Sequence, residues 1–259
     1  MTIVPSAALA SGLMINPVGT HGSRTMMLAE LRLLLAAEPE TACRDDYRAA
    51  IIEENVLAKG TLATRRDSFR RLRELYALSP ETLLFRALRD LWDADTQAQP
   101  LLALLCACAR DPLLRATADV ILAAPEGATV TPQRIAQAAN DAFPGRYNSM
   151  SLANIGRHAA STWQQSGHLV GRLNKVRGRA LCRPAAVAYA LFLGYLCDRR
   201  GNALFATLWC RLLDAPEHVL YEQATIASRQ GWIDYHAAGA VHDVGFRYLM
   251  RNSSGGEQR

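Results

Sequence analysis

The sequence predicts a mainly α protein, and three observations carry that prediction. Apolar residues recur at helical spacing from Arg24 to about Leu122 and again from Pro184 to Gln230. Between these stretches, 127–183 reads as helix, turn, helix and two short strands. Half of the 259 residues are apolar, enough for a substantial core divided among two or three packed units. Breaks in the pattern set the expected boundaries: a disordered leader over 1–22, an N-terminal helical domain over 23–126, the helix–hairpin segment over 127–183, C-terminal helices over 184–251 packing on the rest, and a disordered tail over 252–259.

The first helix follows from Met27, Leu28, Leu31, Leu34 and Leu35 on one face, with Pro39 just beyond its end. A second is predicted from Arg44 to Lys59, stopped by Gly60. In the third, Thr64 followed by Asp67 suggests an N-cap; Phe69, Leu72, Leu75 and Tyr76 face inward while Arg66, Arg70 and Arg73 line another face. That basic stripe reads either as an ordinary solvated face paired with Asp67 and Glu74 or as a secondary nucleic-acid site. Further helices are expected over Ser79–Trp92, with Pro80 in the first turn, and over Leu101–Ala124, broken near Asp111 and Pro112.

After the turn-rich 124–131, Thr131 caps and Pro132 opens a short helix with Ile135 and Ala139 inward. A longer helix ends at Gly167, and two strands joined at Leu173 and Asn174 follow, which is the layout of a winged helix. On the longer helix Leu152, Ile155, Ala159 and Trp163 share an arc and should be buried. Met150, Asn154, Arg157, His158, Ser161 and Gln165 then point outward. Amide, hydroxyl and guanidinium groups without carboxylates are the chemistry that reads base edges in the major groove. The wing residues Arg172, Lys175, Arg177 and Arg179 are expected over phosphates, so that replacing Arg177 and Arg179 with Ala should weaken binding to every sequence. Beyond Pro184, an all-apolar helix, Gly201 and Asn202 as stop and cap, and a helix opened by Pro216 and closed by Gly231 are predicted; 231–250 is ambiguous between helix and strand.

Charge distribution points the same way. Between Asp141 and Asp198 there is no acidic residue in 56 positions, which carry seven cations: Arg146, Arg157, Arg172, Lys175, Arg177, Arg179 and Arg183. The whole chain is only +5, so the remainder sums to −2 and the basic character is local, as expected of a surface that meets a polyanion. Few aromatics lie near it, which argues against single-strand stacking platforms.

Other classes find little support. The six cysteines are scattered among apolar residues without a CxxC pair or a disulfide framework, as in a reduced cytoplasmic protein. The longest apolar run, Pro184–Cys197, is shorter than the roughly 20 residues a bilayer requires, and the apolar N-terminus lacks a basic n-region; translation from Met14 is an alternative to a disordered leader there. No phosphate loop, HExxH, GxSxG or GxGxxG is present, so no enzyme, cofactor, metal or small-molecule substrate is expected. The residual catalytic candidates, Asp90, Asp93 and Asp95 or His242 with Asp243, read better as a solvated helix end and a surface histidine.

The stretch RAAIIEENVLAKGTLATRRDSFRRLRELYAL, 48–78, resembles the N-terminal signature of the BrxA family, small accessory proteins of bacterial BREX phage-defence systems, through its EEN, TRR and LRELY segments in order. Extended over Arg24–Arg251, the resemblance implies a cytoplasmic, mostly helical, non-catalytic protein with a NusB-like N-terminal half that binds double-stranded DNA. Thr64, Arg65 and Arg66 match the motif. The resemblance leaves open an adaptor that docks another BREX subunit, and RNA binding through the Arg66–Arg70–Arg73 helix.

Overall fold

The computed structural model describes residues 5–16 and 19–251 and is mainly helical, with two small antiparallel sheets of two strands each. Its helices are α1 (Ser6–Ala10), α2 (Leu28–Ala37), α3 (Arg44–Ile52), α4 (Leu62–Tyr76), α5 (Leu83–Trp92), α6 (Gln99–Arg110), α7 (Pro112–Ala116), α8 (Ala118–Leu122), α9 (Pro132–Ala142) and α10 (Ser149–Gln165). The hairpin β1 (Leu169–Val170) and β2 (Val176–Arg177) follows. The chain then forms α11 (Pro184–Leu196), α12 (Leu208–Arg211), α13 (Glu217–Arg229), the hairpin β3 (Asp234–Ala238) and β4 (Val241–Gly245), and α14 (Arg247–Met250). The tail expected to be disordered from Asn252 lies outside the described residues.

Two nearly all-apolar helices organise the core. In α11 every residue but Tyr195 is buried, and α6 is buried along its length except at Pro100 and Arg110. A helix apolar on all sides must be enclosed, and α11 is covered by α5, α6, α12 and α13. One continuous core therefore runs from Ala8 to Leu249, with the C-terminal helices packed on the N-terminal ones. No helix of the described residues is long and apolar enough to cross a membrane.

Several element ends differ from expectation for identifiable reasons. Residues 5–16 are not a disordered leader: Ala8 and Leu13 are buried and the Met14 N–H donates to the Ala109 carbonyl. The second helix stops at Ile52 because Asn55 and Ala58 take left-handed backbone, and the Asn55 side chain then accepts the Lys59 N–H. The cap of α4 is Thr61, whose hydroxyl accepts from the Thr64 N–H at 3.2 Å, which frees Asp67 for ion pairs. Asn202 caps no long helix; its amide grips the C-terminal hairpin, donating to the Ala240 carbonyl and accepting from the His242 N–H. The ambiguous 231–250 is thus a strand hairpin followed by the short helix α14.

The break at Asp111 is as the sequence predicts. Its carboxylate caps α7 through the Leu113 and Leu114 N–H groups. The expected turn at 124–131 holds more order than its composition suggests: Gly127, Ala128 and Val130 exchange backbone hydrogen bonds with Lys175 and Arg177, laying this segment beside β2.

Candidate nucleic-acid interface

The segment that carries the candidate residues is a pair of capped helices and a hairpin. Thr131 accepts from the Arg134 N–H to start α9, and Asn148 accepts from the Ser151 N–H to start α10. Leu113, Ala139 and Ile155 form a small separate core beneath the two helices, with Phe143, Tyr147 and Leu152 packed around it. The helices cross closely at Gly156. A Cβ there would lie 2.2 Å from the Pro132 carbonyl oxygen and 3.0 Å from the Ala136 Cβ, so only glycine permits the approach. Gly156→Ala is accordingly expected to push α9 away and cost about 1–3 kcal/mol of stability, read by urea unfolding. Wild-type stability in that variant would mean the crossing is not tight.

The inward face of α10 is as predicted: Ile155, Ala159 and Trp163 are fully buried, and the Trp163 indole N–H donates to Thr117. The outward face is rotated from the expected one. Asn154, Arg157 and Ser161 reach solvent at least in part, and Met150, Ala153 and Gln164 are exposed beside them. His158 and Gln165 are half-buried like Asn154 and Ser161, but their polar atoms are turned to the chain. The His158 Nδ1–H donates to the His21 carbonyl at 3.1 Å, and Gln165 Oε1 accepts from the Leu28 N–H at 3.3 Å. Burial pushes the His158 imidazole below its usual range, which keeps it neutral.

The cause is a second buried flank contributed by residues 20–28. Thr162 on α10 accepts the Met26 N–H at 2.9 Å and donates to His21 Nε2 at 2.8 Å, while His21 Nδ1–H donates to Asp111 at 2.7 Å. Asp111, His21 and Thr162 thus stand in the order of a hydrolase triad. All three are almost fully buried and Thr162 is already saturated with partners, so the relay clasps the N-terminal segment to α7 and α10. Sequence spacing gives no hint of it.

The seven cations of the acid-free window divide into two groups. Arg177, expected on the wing surface, is 6 % exposed and forms a bidentate pair with Asp214 at 2.8 and 2.6 Å; its Nε–H also donates to the Ile121 carbonyl. Burial opposes ionisation of Asp214, but hydrogen bonds from Arg177 and the Ala180 N–H hold its carboxyl below the usual range. Arg183 pairs with Asp95 at 2.8 Å and Arg179 with Glu126 at 3.4 Å. By contrast Arg146, Arg157, Arg172 and Lys175 have no carboxylate partner among the described residues, nor has the exposed Arg134 of α9. Arg157 donates to the Asn154 side-chain oxygen and Lys175 to that of Gln164, tying the guanidinium and the hairpin ammonium to the amides of α10.

Between α9 and α10 runs a groove of about 370 Å³, lined by Gln133, Gln137, Asn140 and Arg157 over Ala136 and Leu152. On α4, Arg66 and Arg70 are exposed, with Arg70 donating to Asp67 at 2.5 Å. Arg73 is also exposed, with its guanidinium over the Phe69 ring at 5.8 Å.

The residual catalytic candidates are engaged in contacts within the fold. Asp90, Asp93 and Asp95 each pair with a different arginine, Arg251, Arg89 and Arg183. His242 is not a surface residue: it is buried, stacked on Tyr221 with ring centroids 4.1 Å apart and hydrogen-bonded to the Tyr235 hydroxyl at 2.7 Å. All six cysteines are free thiols, and burial pushes Cys106, Cys182 and Cys210 up to about 12, away from the reactive thiolate. A scan against protein-family models finds no match, and a search of curated proteins finds none either.

Proposed function

We propose that this chain is a non-catalytic double-stranded DNA-binding protein in which 127–183 acts as a winged helix, α10 entering the major groove and the β1–β2 tip lying on the backbone. The observation that carries the reading is the segregation of charge. Arg177, Arg179 and Arg183 each have an acidic partner, whereas Arg134, Arg146, Arg157, Arg172 and Lys175, on the two helices, the loop between them and the hairpin, have none among the described residues, and Arg157 and Lys175 hydrogen-bond the amides of α10. A face that were merely solvated would interleave carboxylates. The strand-like 127–130 segment beside β2 supports the winged-helix assignment, since it would brace the wing against the start of α9.

In this reading Asn154, Arg157, Ser161 and Gln164 meet base edges, while Arg172 and Lys175 meet phosphates. The likeness of 48–78 to the BrxA signature supports a place among BREX accessory proteins, with a NusB-like N-terminal half as the platform.

The test is duplex binding across a salt series. Arg172→Ala with Lys175→Ala should lower the slope of log K against log salt by up to about 1.8, near 0.9 for each lost phosphate contact. A wild-type protein that shifts no duplex at moderate salt sinks the reading. Met150 and Leu173, 75 % and 90 % exposed beside the cations, favour a protein partner as the second reading, and capture of an acidic BREX subunit without any duplex shift would establish it. Stronger binding to RNA of equal length would reassign the polyanion.

A further inference from the structure

The exposed cations of α4 and those of α10 lie on elements joined by one short piece of chain. The 3-10 turn Thr20–Gly22 packs against both helices. On one side its His21 carbonyl accepts the His158 Nδ1–H of α10. On the other, Arg24, whose N–H donates to the Thr20 carbonyl, reaches Asp67 of α4 at 3.0 Å. Arg157 and Arg24 both act on the His158 ring, each lowering its proton affinity alongside burial, so both guanidinium groups lie near the same imidazole.

The carboxylate at this junction is outnumbered. Asp67 is shared by Arg70 at 2.5 Å, Arg24 at 3.0 Å and Arg71 at 3.6 Å, and Arg71 also satisfies Glu74 at 3.0 Å. With Arg66 exposed one turn before Arg70 and paired with no carboxylate among the described residues, positive charge remains in excess across the junction. The ordinary explanation of the α4 stripe, a solvated face balanced by its own acids, holds for Arg70, which pairs with Asp67, and fails for Arg66. Arg24 and Arg70 keep 48 % and 53 % of their side-chain surface exposed while sharing one partner.

We propose that the α10–hairpin face and the Arg66–Arg70 face of α4 are the two ends of one cationic track, bridged by Arg24, that a single DNA duplex follows. This rests on the reading of α10 given above and extends it from a local contact to a longer footprint. The outward stripe of α10 from Asn154 to Gln164 spans about 15 Å and that of α4 from Arg66 to Arg70 about 6 Å, so a duplex of roughly 20 base pairs, two helical turns, is long enough to meet both.

The experiment measures stoichiometry and salt slope on such a duplex for the full chain. Arg66→Ala with Arg70→Ala should lower the slope of the one-to-one complex by about 1.8, and Arg66→Lys with Arg70→Lys should restore it, because a phosphate contact needs charge rather than a guanidinium. Both side chains are exposed, so the fold is expected to tolerate the changes; matching unfolding curves check that. An unchanged slope, or loss of a separate second binding event with the first unaltered, would overturn the track and leave the α10 reading standing. Failure of the wild-type chain to bind duplex would overturn both.

Discussion

Arg177→Ala should destabilise the fold by on the order of 3–5 kcal/mol, the cost of leaving a largely buried carboxylate without its counter-ion. The substitution removes both hydrogen bonds to Asp214 and the donor to the Ile121 carbonyl, at a point where the hairpin, α8 and the turn before α13 meet. Asp214 also holds the Ala180 N–H at 3.0 Å, so its repulsion from the apolar surroundings would loosen the segment that follows β2. Urea unfolding of the single variant, of Asp214→Asn and of the pair gives the coupling directly; the double variant should be less damaged than the sum of the two singles. An Arg177→Ala protein that unfolds like wild type yet loses duplex binding would restore Arg177 to the phosphate-contacting surface.

That outcome separates what a single sequence discloses about this site from what it hides. Local information was legible: the cap at Thr131, the break near Asp111, the inward arc of Ile155, Ala159 and Trp163, the hairpin with its tip at Leu173, and the enclosed α11 all follow from period and turn chemistry. Pairing across the chain was not. An acid-free stretch of sequence is not an acid-free region of space, because Glu126, Asp95 and Asp214 arrive from outside it and neutralise three of its seven cations. In β2 the register places Arg177 opposite buried Leu169, turning the charged residue inward against the usual alternation. A helical wheel likewise sees one buried arc, whereas α10 has two, and the second was supplied by residues 20–28.

The same inward packing gives the protein a predicted sensitivity to mild acid. His168 is fully buried, with its Nε2–H donating to the Leu212 carbonyl at 3.1 Å and its Nδ1 accepting from the Ser166 hydroxyl at 2.9 Å; Trp163 stands edge-on to the ring at 5.0 Å between centroids. Burial pushes its imidazole down to about 4; the Asp214 charge opposes the fall and Arg177 adds to it. The unfolded chain takes up a proton at the ordinary histidine value near 6.5 while the fold refuses it until about 4. Stability is therefore complete above pH 6.5 and falls as pH drops toward 4, by about 2 kcal/mol at pH 5 and about 3 kcal/mol at pH 4. His158, also held low by burial, adds loss of the same sign, whereas the depressed carboxyls of Asp214 and Asp111 act only below their ordinary range near 3.8. Unfolding free energies at pH 7, 6, 5 and 4 should trace this fall, and His168→Gln, neutral at every pH, should remove most of it at the expense of a lower plateau. A wild-type curve that stays flat between pH 7 and 5 would mean that His168 exchanges protons freely and that the Ser166–His168–Leu212 chain is open to water.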